Sequence, residues 1–130
     1  MKNQQKQIVV KRAKDAKIVE SQTCGSISEV LTGLDYPHCS IAVVNNIGIT
    51  VGHFHETFDE IYWLEKGEIS VLLYNPELEK KWTEKLSVGD VLVISKNVHH
   101  KVTKASTKNK LIAISVPAWK AEDEKISDLK

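Results

Sequence analysis

Short runs of β-branched and aromatic residues fill the middle of this chain, and residues 24–116 show no sustained 3.6-residue apolar period. Turn-forming pairs such as Lys66-Gly67 separate the runs. The runs cover residues 27–31, 40–44, 47–55, 60–64, 69–74, 90–94, 99–103 and 111–116. Short strands at regular spacing with such turns predict an all-β fold, an antiparallel sandwich or barrel.

The chain length favours one compact domain. Its 130 residues, 42% of them hydrophobic, suffice for a single core and leave little room for a second. We therefore predict one domain over residues 1–130, with a barrel core at about 25–118. The charged tail at 119–130 is expected to form a helical turn or two on the surface or to fray.

Charge and hydropathy exclude several classes of partner. A formal net charge of +1 provides no field that gathers nucleic acid or an anionic membrane. No apolar run approaches the roughly 18 residues of a spanning helix, and the first residues lack the apolar stretch of a signal peptide. We expect a soluble, cytoplasmic protein. Cys24 and Cys39 form no C-x-x-C pair and are predicted to be reduced thiols without a role.

The segment at residues 48–67 carries residue types that bind metals. His53 and His55 are two apart on a predicted strand, so their imidazoles project from one face with their tips close together. Ile49 and Val51 precede them on that face and predict a dry setting. Glu60 follows a turn-like segment, where the chain can reverse and return a carboxylate to the same point.

A fourth ligand is expected from residues 89–100, which end in two adjacent histidines. Neighbouring strand residues point to opposite faces, so His99 and His100 cannot both bind one ion at the centre of a barrel. Three histidines and a glutamate buried without an ion would leave polar groups unpaired. The alternative to a metal site is a hydrogen-bonded network of the same residues in a degenerate barrel.

The pattern H-x-H-x4-E-x6-G, filled by His53, His55, Glu60 and Gly67, resembles the first motif of the cupin family. The resemblance covers roughly residues 39–117. It implies a small RmlC-like jelly-roll barrel, also described as a double-stranded β-helix, with one bound metal ion.

Residues 89–100 resemble the second cupin motif, G-x5-P-x-G-x2-H, which assigns the fourth ligand to His100 and turns His99 outward. Ser95 replaces the usual Pro and Asn97 the usual Gly, and Asn97 is expected to keep the turn because asparagine tolerates positive φ. Lys104 stands where the family often has Asn. It is either a cation at the barrel mouth that suits an anionic substrate or a solvated lysine at a strand end.

The predicted ligand set of three imidazoles and one carboxylate suits a divalent transition metal ion: Fe, Mn, Ni, Co or Zn. Such a set leaves coordination positions open for water or substrate. Tyr62 lies two residues after Glu60 and should share its inward face. The spacing H-x-H-x4-E-x-Y resembles that of cupin lyases that cleave dimethylsulfoniopropionate, which implies a base role for Tyr62. Plain packing is the alternative.

Two classes of function follow from the resemblance. The first is an enzyme of isomerase, lyase or dioxygenase type that acts on a small polar or anionic metabolite. The second is a non-catalytic barrel that binds a small ligand as a sensor or accessory protein. Resemblance to isolated cupin barrels also implies a homodimer, paired through a sheet edge near residues 8–10 and 18–19.

Overall fold

Residues 8–130, which the computed structural model describes, form two antiparallel sheets and two 3-10 turns, Ala13–Asp15 and Ala121–Asp123. The strands are β1 (Lys17–Ser21), β2 (Gly25–Leu31), β3 (Ser40–Asn45), β4 (His53–Phe54), β5 (Asp59–Lys66), β6 (Ile69–Asn75), β7 (Lys80–Leu86), β8 (Val91–Ile94), β9 (His99–Ala105), β10 (Lys110–Val116) and β11 (Lys125–Ile126). One sheet has the order β1-β2-β3-β10-β5-β8, and the other β11-β4-β9-β6-β7. Within residues 8–130, no helix has the length and apolar character needed to cross a membrane.

The two sheets share one hydrophobic core. Leu64 of β5 and Leu111 of β10 belong to the same buried cluster as Ile69 and Val71 of β6 and Val102 of β9. Each of these side chains is at most 1% exposed. Full burial of an aliphatic side chain of this size contributes roughly 1.5–3 kcal/mol. Alternate residues of the strands supply this cluster. The β-branched runs therefore form strands that bury one face in the core.

The all-β prediction is confirmed, and seven of the eight predicted strands are present. The structure also contains a strand that was not predicted, β7. Its sequence KKWTEKL is mostly charged and turns only Trp82 and Leu86 away from solvent. A strand that pairs with one neighbour and exposes its other face carries little apolar signal. Its seven-residue register with β6 nevertheless completes that end of the five-stranded sheet.

The predicted strand at residues 47–55 is wrong except for β4. Asn46 has a positive φ of 58°, which turns the chain out of the strand conformation. Asn109 then replaces a strand partner: its side chain accepts a hydrogen bond from the Ile47 amide (2.9 Å) and donates one to the Ile47 carbonyl (3.0 Å). The segment before the histidines is therefore a loop held by side-chain hydrogen bonds.

Both ends of the chain reach beyond the predicted core at 25–118. At the N-terminal end β1 pairs with β2 over five residues, although residues 8–10 form no strand. In the tail, the 3-10 turn Ala121–Asp123 leads into β11, which pairs with β4. The tail was expected to form a helical turn or two on the surface or to fray; it has one 3-10 turn, continues as part of a sheet and lies against the segment that carries His53.

Candidate metal centre

The four predicted ligands lie together between the sheets. His53 on β4 is the cross-strand neighbour of His100 on β9, and Glu60 reaches the same point from β5 of the other sheet. His55 stands in the segment that joins the two sheets. One ligand atom from each of the four residues lies within 4.8 Å of those of the others, and all four residues are buried.

A reversal of the chain was expected between the histidines and Glu60, but the chain crosses between the two sheets there instead. β4 and β5 belong to different sheets, so residues 55–58 cross from one sheet to the other. This crossing, rather than a turn within one sheet, brings the carboxylate to face the imidazoles. The prediction that Ile49 and Val51 give the histidines a dry setting is also wrong, since these side chains are 73% and 45% exposed.

Each imidazole of the cluster has Nδ1 at hydrogen-bond distance from a backbone carbonyl oxygen. The pairs are His53 with Val51 (3.0 Å), His55 with Asp123 (2.9 Å) and His100 with Val98 (3.1 Å). A carbonyl oxygen only accepts, so Nδ1 carries the proton in all three rings. In the neutral imidazole the lone pair is then on Nε2, the arrangement that backbone partners impose on metal-binding histidines.

The Glu60 carboxylate faces two of these Nε2 atoms at short range. Its Oε1 lies 3.1 Å from His100 Nε2 and 3.3 Å from His55 Nε2. His55 Nε2 is fully buried and makes no well-aligned hydrogen bond. A lone pair that faces a carboxylate at this distance is repulsive unless a cation lies between them. The donor set therefore fits a divalent metal ion, to which the three imidazoles and the carboxylate would donate lone pairs.

The pKa values of the cluster residues favour a charge distribution that suits a cation. Burial, reinforced by the neighbouring His100, lowers the pKa of His53 to about 3, so this imidazole stays neutral. Burial alone would raise the pKa of Glu60, but the close approach of the His100 and His55 rings holds it well below its usual range. Burial works against protonation of His55, yet the Glu60 carboxylate raises the pKa of that ring. One carboxylate anion thus faces at least one neutral imidazole.

The metal-free protein is expected to lose stability as the pH falls below 6.5. His53 has an ordinary pKa of 6.5 when unfolded and about 3 when folded, so in that window the unfolded chain binds more protons. Glu60 adds the same sign below its ordinary value of 4.5. His55, whose pKa is raised, changes stability only above 6.5. Chelator-treated protein should lose about 2–3 kcal/mol of unfolding free energy between pH 6.5 and 4.5 from His53 alone. The loss should shrink in His53→Gln, and an equal loss in both proteins would contradict it.

Asp123 in the tail is a site residue that the sequence did not reveal. Its backbone carbonyl accepts the hydrogen bond from His55 Nδ1. Its carboxylate accepts hydrogen bonds from the amides of Glu56 (2.9 Å) and Thr57 (2.8 Å) and from the Thr57 hydroxyl (2.5 Å). These bonds fix the crossing segment from which His55 points. Asp123 belongs to a charged run, KAEDEK, whose pattern is that of a solvated surface, so its role had no sequence signal.

We expect Asp123→Ala to weaken metal binding about 10- to 100-fold, the usual effect of removing a group that orients a ligand. The backbone carbonyl remains, but the crossing segment loses three hydrogen bonds. Dissociation constants from chelator competition provide the measurement, and Asp128→Ala, an exposed aspartate of the same tail, is the matched control. Equal affinities for the parent and Asp123→Ala would show that the Asp123 carboxylate is not needed to position His55.

A cavity of about 500 Å³ opens beside the cluster and is lined by His53, Glu60 and Tyr62. Tyr62 is 2% exposed, and its ring meets that of His100 edge-on with centroids 5.9 Å apart. Burial, together with the Glu60 charge, raises the pKa of Tyr62 well above its ordinary value. Cys24 also lines the cavity, and burial raises the pKa of its thiol to about 12, so it is a protonated thiol.

The second motif keeps its geometry despite its departures. Asn97 takes the glycine position with a positive φ of 70°, as predicted, and its amide donates to the His55 carbonyl (2.7 Å). His99 is directed away from the cluster: it stacks on Phe54 with centroids 4.2 Å apart and has Nδ1 2.6 Å from the Ser127 hydroxyl.

Lys104 does not reach the cavity mouth. The register of β9 with β6 shifts between Ser70 and Val71, because Thr103 is an extra residue in β9. This bulge reverses the alternation after Val102, so Lys104 pairs with Ser70 and is exposed on the outer face. The interpretation as a solvated lysine is the one the structure supports.

No model of a known protein family matches the sequence, and no curated protein sequence matches it. Solved structures do match. A variant of Streptomyces PAC13 with uridine has a TM-score of 0.74 at 10% identity, covering 93% of this chain and 91% of that one. PAC13 is described as a nucleoside dehydratase.

Two further structures have the same fold. A variant of oxalate decarboxylase from Bacillus subtilis has a TM-score of 0.73 at 11% identity over 92% of this chain, which spans 33% of that protein. KdgF from Halomonas sp. has a TM-score of 0.62 at 20% identity, covering 81% of this chain and 89% of that one. These are cupin-fold proteins. The chain therefore has the cupin fold, a jelly-roll β-barrel built from two antiparallel sheets.

Proposed function

We propose that this protein is a metal-dependent enzyme that binds one divalent transition metal ion through His53, His55, Glu60 and His100 and acts on a small polar metabolite. The observation that carries the proposal is the convergence of one ligand atom from each of three imidazoles and one carboxylate within 4.8 Å, at the wall of a cavity of about 500 Å³. A closed structural site would not need a cavity of that size beside it.

A bound Fe, Mn, Ni, Co or Zn ion would supply Lewis-acid chemistry, or redox chemistry where the metal is redox-active. The protein's own groups set the rest. The backbone carbonyls hold the imidazoles in one tautomer, and the apolar walls keep water away from the reacting group.

Tyr62 is the side chain we propose for direct contact with substrate. Tyr62 lines the cavity together with Glu60, and its raised pKa keeps the proton in place. In that state it donates a hydrogen bond or a proton to substrate. The base role implied by the lyase resemblance requires an adjacent cation that lowers this pKa.

Similarity to PAC13 and oxalate decarboxylase supports an enzyme but not one reaction. A dehydratase and a decarboxylase act by different chemistries on the same fold. The proposal therefore covers isomerase, lyase and dioxygenase types. Oxygen consumption separates the dioxygenase type from the other two.

The proposal is tested by incubating the metal-loaded protein with a cytosolic metabolite extract and comparing compounds by mass spectrometry. We expect at least one small metabolite to be consumed and a product to appear, and neither change with the double variant His53→Ala, His100→Ala. Tyr62→Phe should keep its metal but convert the metabolite more slowly. Retention of a compound without conversion would instead identify a non-catalytic binding protein.

We also propose that two copies of the chain pair through the outer face of the six-stranded sheet. Two cross-strand rows of this face are apolar: they contain Val93, Ile61 and Ile114, and Val91, Trp63, Ile112 and Val43. A Glu65–Lys110 ion pair (3.1 Å) borders the rows. An apolar centre with a polar rim is the anatomy of a protein interface, and a sheet face can pack on its own copy about a two-fold axis.

Light scattering should therefore give twice the chain mass of 14.6 kDa for the parent. Val93→Lys places a charge at the centre of the face and should yield monomers. Val88→Lys changes a valine that is similarly exposed (63%, against 61% for Val93) and lies outside the face, so it should remain dimeric. A monomeric parent at about 100 μM, or a dimeric Val93→Lys, contradicts this pairing.

A further inference from the structure

Glu124 is a second buried carboxylate on the wall of the cavity that adjoins the metal cluster. It follows the 3-10 turn Ala121–Asp123 and is 8% exposed. Its Oε1 accepts hydrogen bonds from the hydroxyls of Ser21 (3.0 Å) and Thr23, and its backbone carbonyl accepts one from the Gln22 side chain (2.9 Å). The carboxylate is thus held in one position by the turn between β1 and β2.

The second oxygen of this carboxylate, Oε2, makes no hydrogen bond to any group in residues 8–130. Glu124 also forms no ion pair within that part of the chain. A carboxylate that is mostly buried without a cation carries a desolvation cost that a hydrogen-bond donor relieves. The free oxygen is therefore a site for a donor that enters the cavity.

A second observation points to a ligand at the same place. Tyr62 is 2% exposed and lines the same cavity, and its hydroxyl makes no hydrogen bond to any described residue. Two largely buried residues on one cavity wall thus each present an oxygen that no described residue hydrogen-bonds. Unlike His55 Nε2, these oxygens are not sealed off from the cavity, so a molecule bound in the cavity can supply their partners.

The rest of the wall is chiefly apolar. The apolar lining includes Ile27, Leu31, Val44, Ile47, Leu111 and Ala113. Charged residues also line the cavity in both signs, Lys17 and Lys120 beside Glu29 and Glu122, and neither lysine pairs with Glu124. The cavity volume of about 500 Å³ is also larger than a two-carbon acid such as oxalate needs.

We infer that the substrate is a neutral or cationic molecule with an apolar body, and that Glu124 accepts a hydrogen bond from a hydroxyl or amino group on it. This inference rests on the proposed function, since the other end of the substrate would lie at the metal. A carboxylate or phosphate at the same place would face a like charge and be rejected. Lys104, which suggested an anionic substrate, is outside the cavity.

The test uses cobalt-loaded protein and a panel of alkyl hydroxamates, whose head group binds metals. Their tails carry two to four methylenes and end in an amino, hydroxyl, methyl or carboxylate group. Calorimetry should show the best amino or hydroxyl tail binding about 10-fold or more tightly than the matched methyl tail, as expected for a hydrogen bond to a charged group. The carboxylate tail should bind most weakly.

Glu124→Gln keeps an oxygen for the Ser21 and Thr23 hydroxyls but removes the charge, and its cobalt content reports that the site is intact. In this variant the preference for the amino tail should fall below about 3-fold. The matched control Glu77→Gln changes an exposed glutamate outside the cavity and should keep the parent ranking.

The outcomes separate this inference from the proposed function. A parent that binds no cobalt overturns both. A cobalt-loaded parent that binds none of the panel, or that prefers the carboxylate tail, overturns the inference alone. A Glu124→Gln variant that retains the parent ranking of tails also overturns the inference alone.

Discussion

Adding a divalent metal to the metal-free protein is expected to raise its unfolding free energy by about 2.7 kcal/mol at a concentration 100 times the dissociation constant. The ligand atoms come from two sheets and from the segment that crosses between them. These elements separate on unfolding, so the unfolded chain has no preformed site and metal affinity becomes folding stability. The ion would also remove the repulsion between the Glu60 carboxylate and the neutral imidazoles.

The measurement is denaturant unfolding with and without Co, Mn, Ni or Zn. The double variant His53→Ala, His100→Ala should show no rise in stability, because it removes two of the four ligand groups. The double variant His38→Ala, His99→Ala has the same number of substitutions but changes histidines outside the cluster, and should keep the full rise. A rise that persists in the first variant would place the metal elsewhere.

Gly67→Ala is expected to destabilise the protein by about 3–5 kcal/mol, combining left-handed backbone strain with overpacking. Gly67 has a φ of +82°. A Cβ at this position would lie 2.4 Å from Ser106 Oγ, 2.5 Å from the Lys108 carbonyl oxygen and 2.7 Å from Asn109 Cβ. The β5–β6 turn packs directly on the turn before β10, which explains why the first motif ends in glycine.

Gly25→Ala is the matched control for Gly67→Ala. Gly25 has a similar φ of +79°, but no atom lies within 4 Å of a Cβ built on it. Its substitution should therefore cost only the backbone strain, about 1–2 kcal/mol. The two losses of stability are compared through unfolding free energies from urea titrations of the two variants. Equal losses would mean that the close contact at Gly67 relaxes without cost.

The sequence predicts those features that depend on local pattern. Strand periodicity identifies seven strands because each has one face in the core. The spacing of His53, His55 and Glu60, with the second motif placing His100, identifies the cluster that the fold brings together. Asn97 was expected to accept positive φ, and it does. These are properties of single residues and their near neighbours, which the sequence states directly.

The features that escaped prediction depend on contacts between distant segments. The loop before His53 is held by the side chain of Asn109, more than sixty residues away, so Ile49 faces solvent despite its strand-like setting. A one-residue bulge turns Lys104 outward, and nothing in its own sequence marks it. Asp123 acts through hydrogen bonds to the crossing segment. Such contacts exist only once the sheets are assembled.

Elemental analysis of protein purified without chelator, and again after anaerobic reconstitution, asks whether the four-residue cluster holds a metal ion. We expect about one equivalent of a transition metal per chain in the parent and none in the variant His53→Ala, His100→Ala. A parent that holds no metal after reconstitution would contradict this expectation.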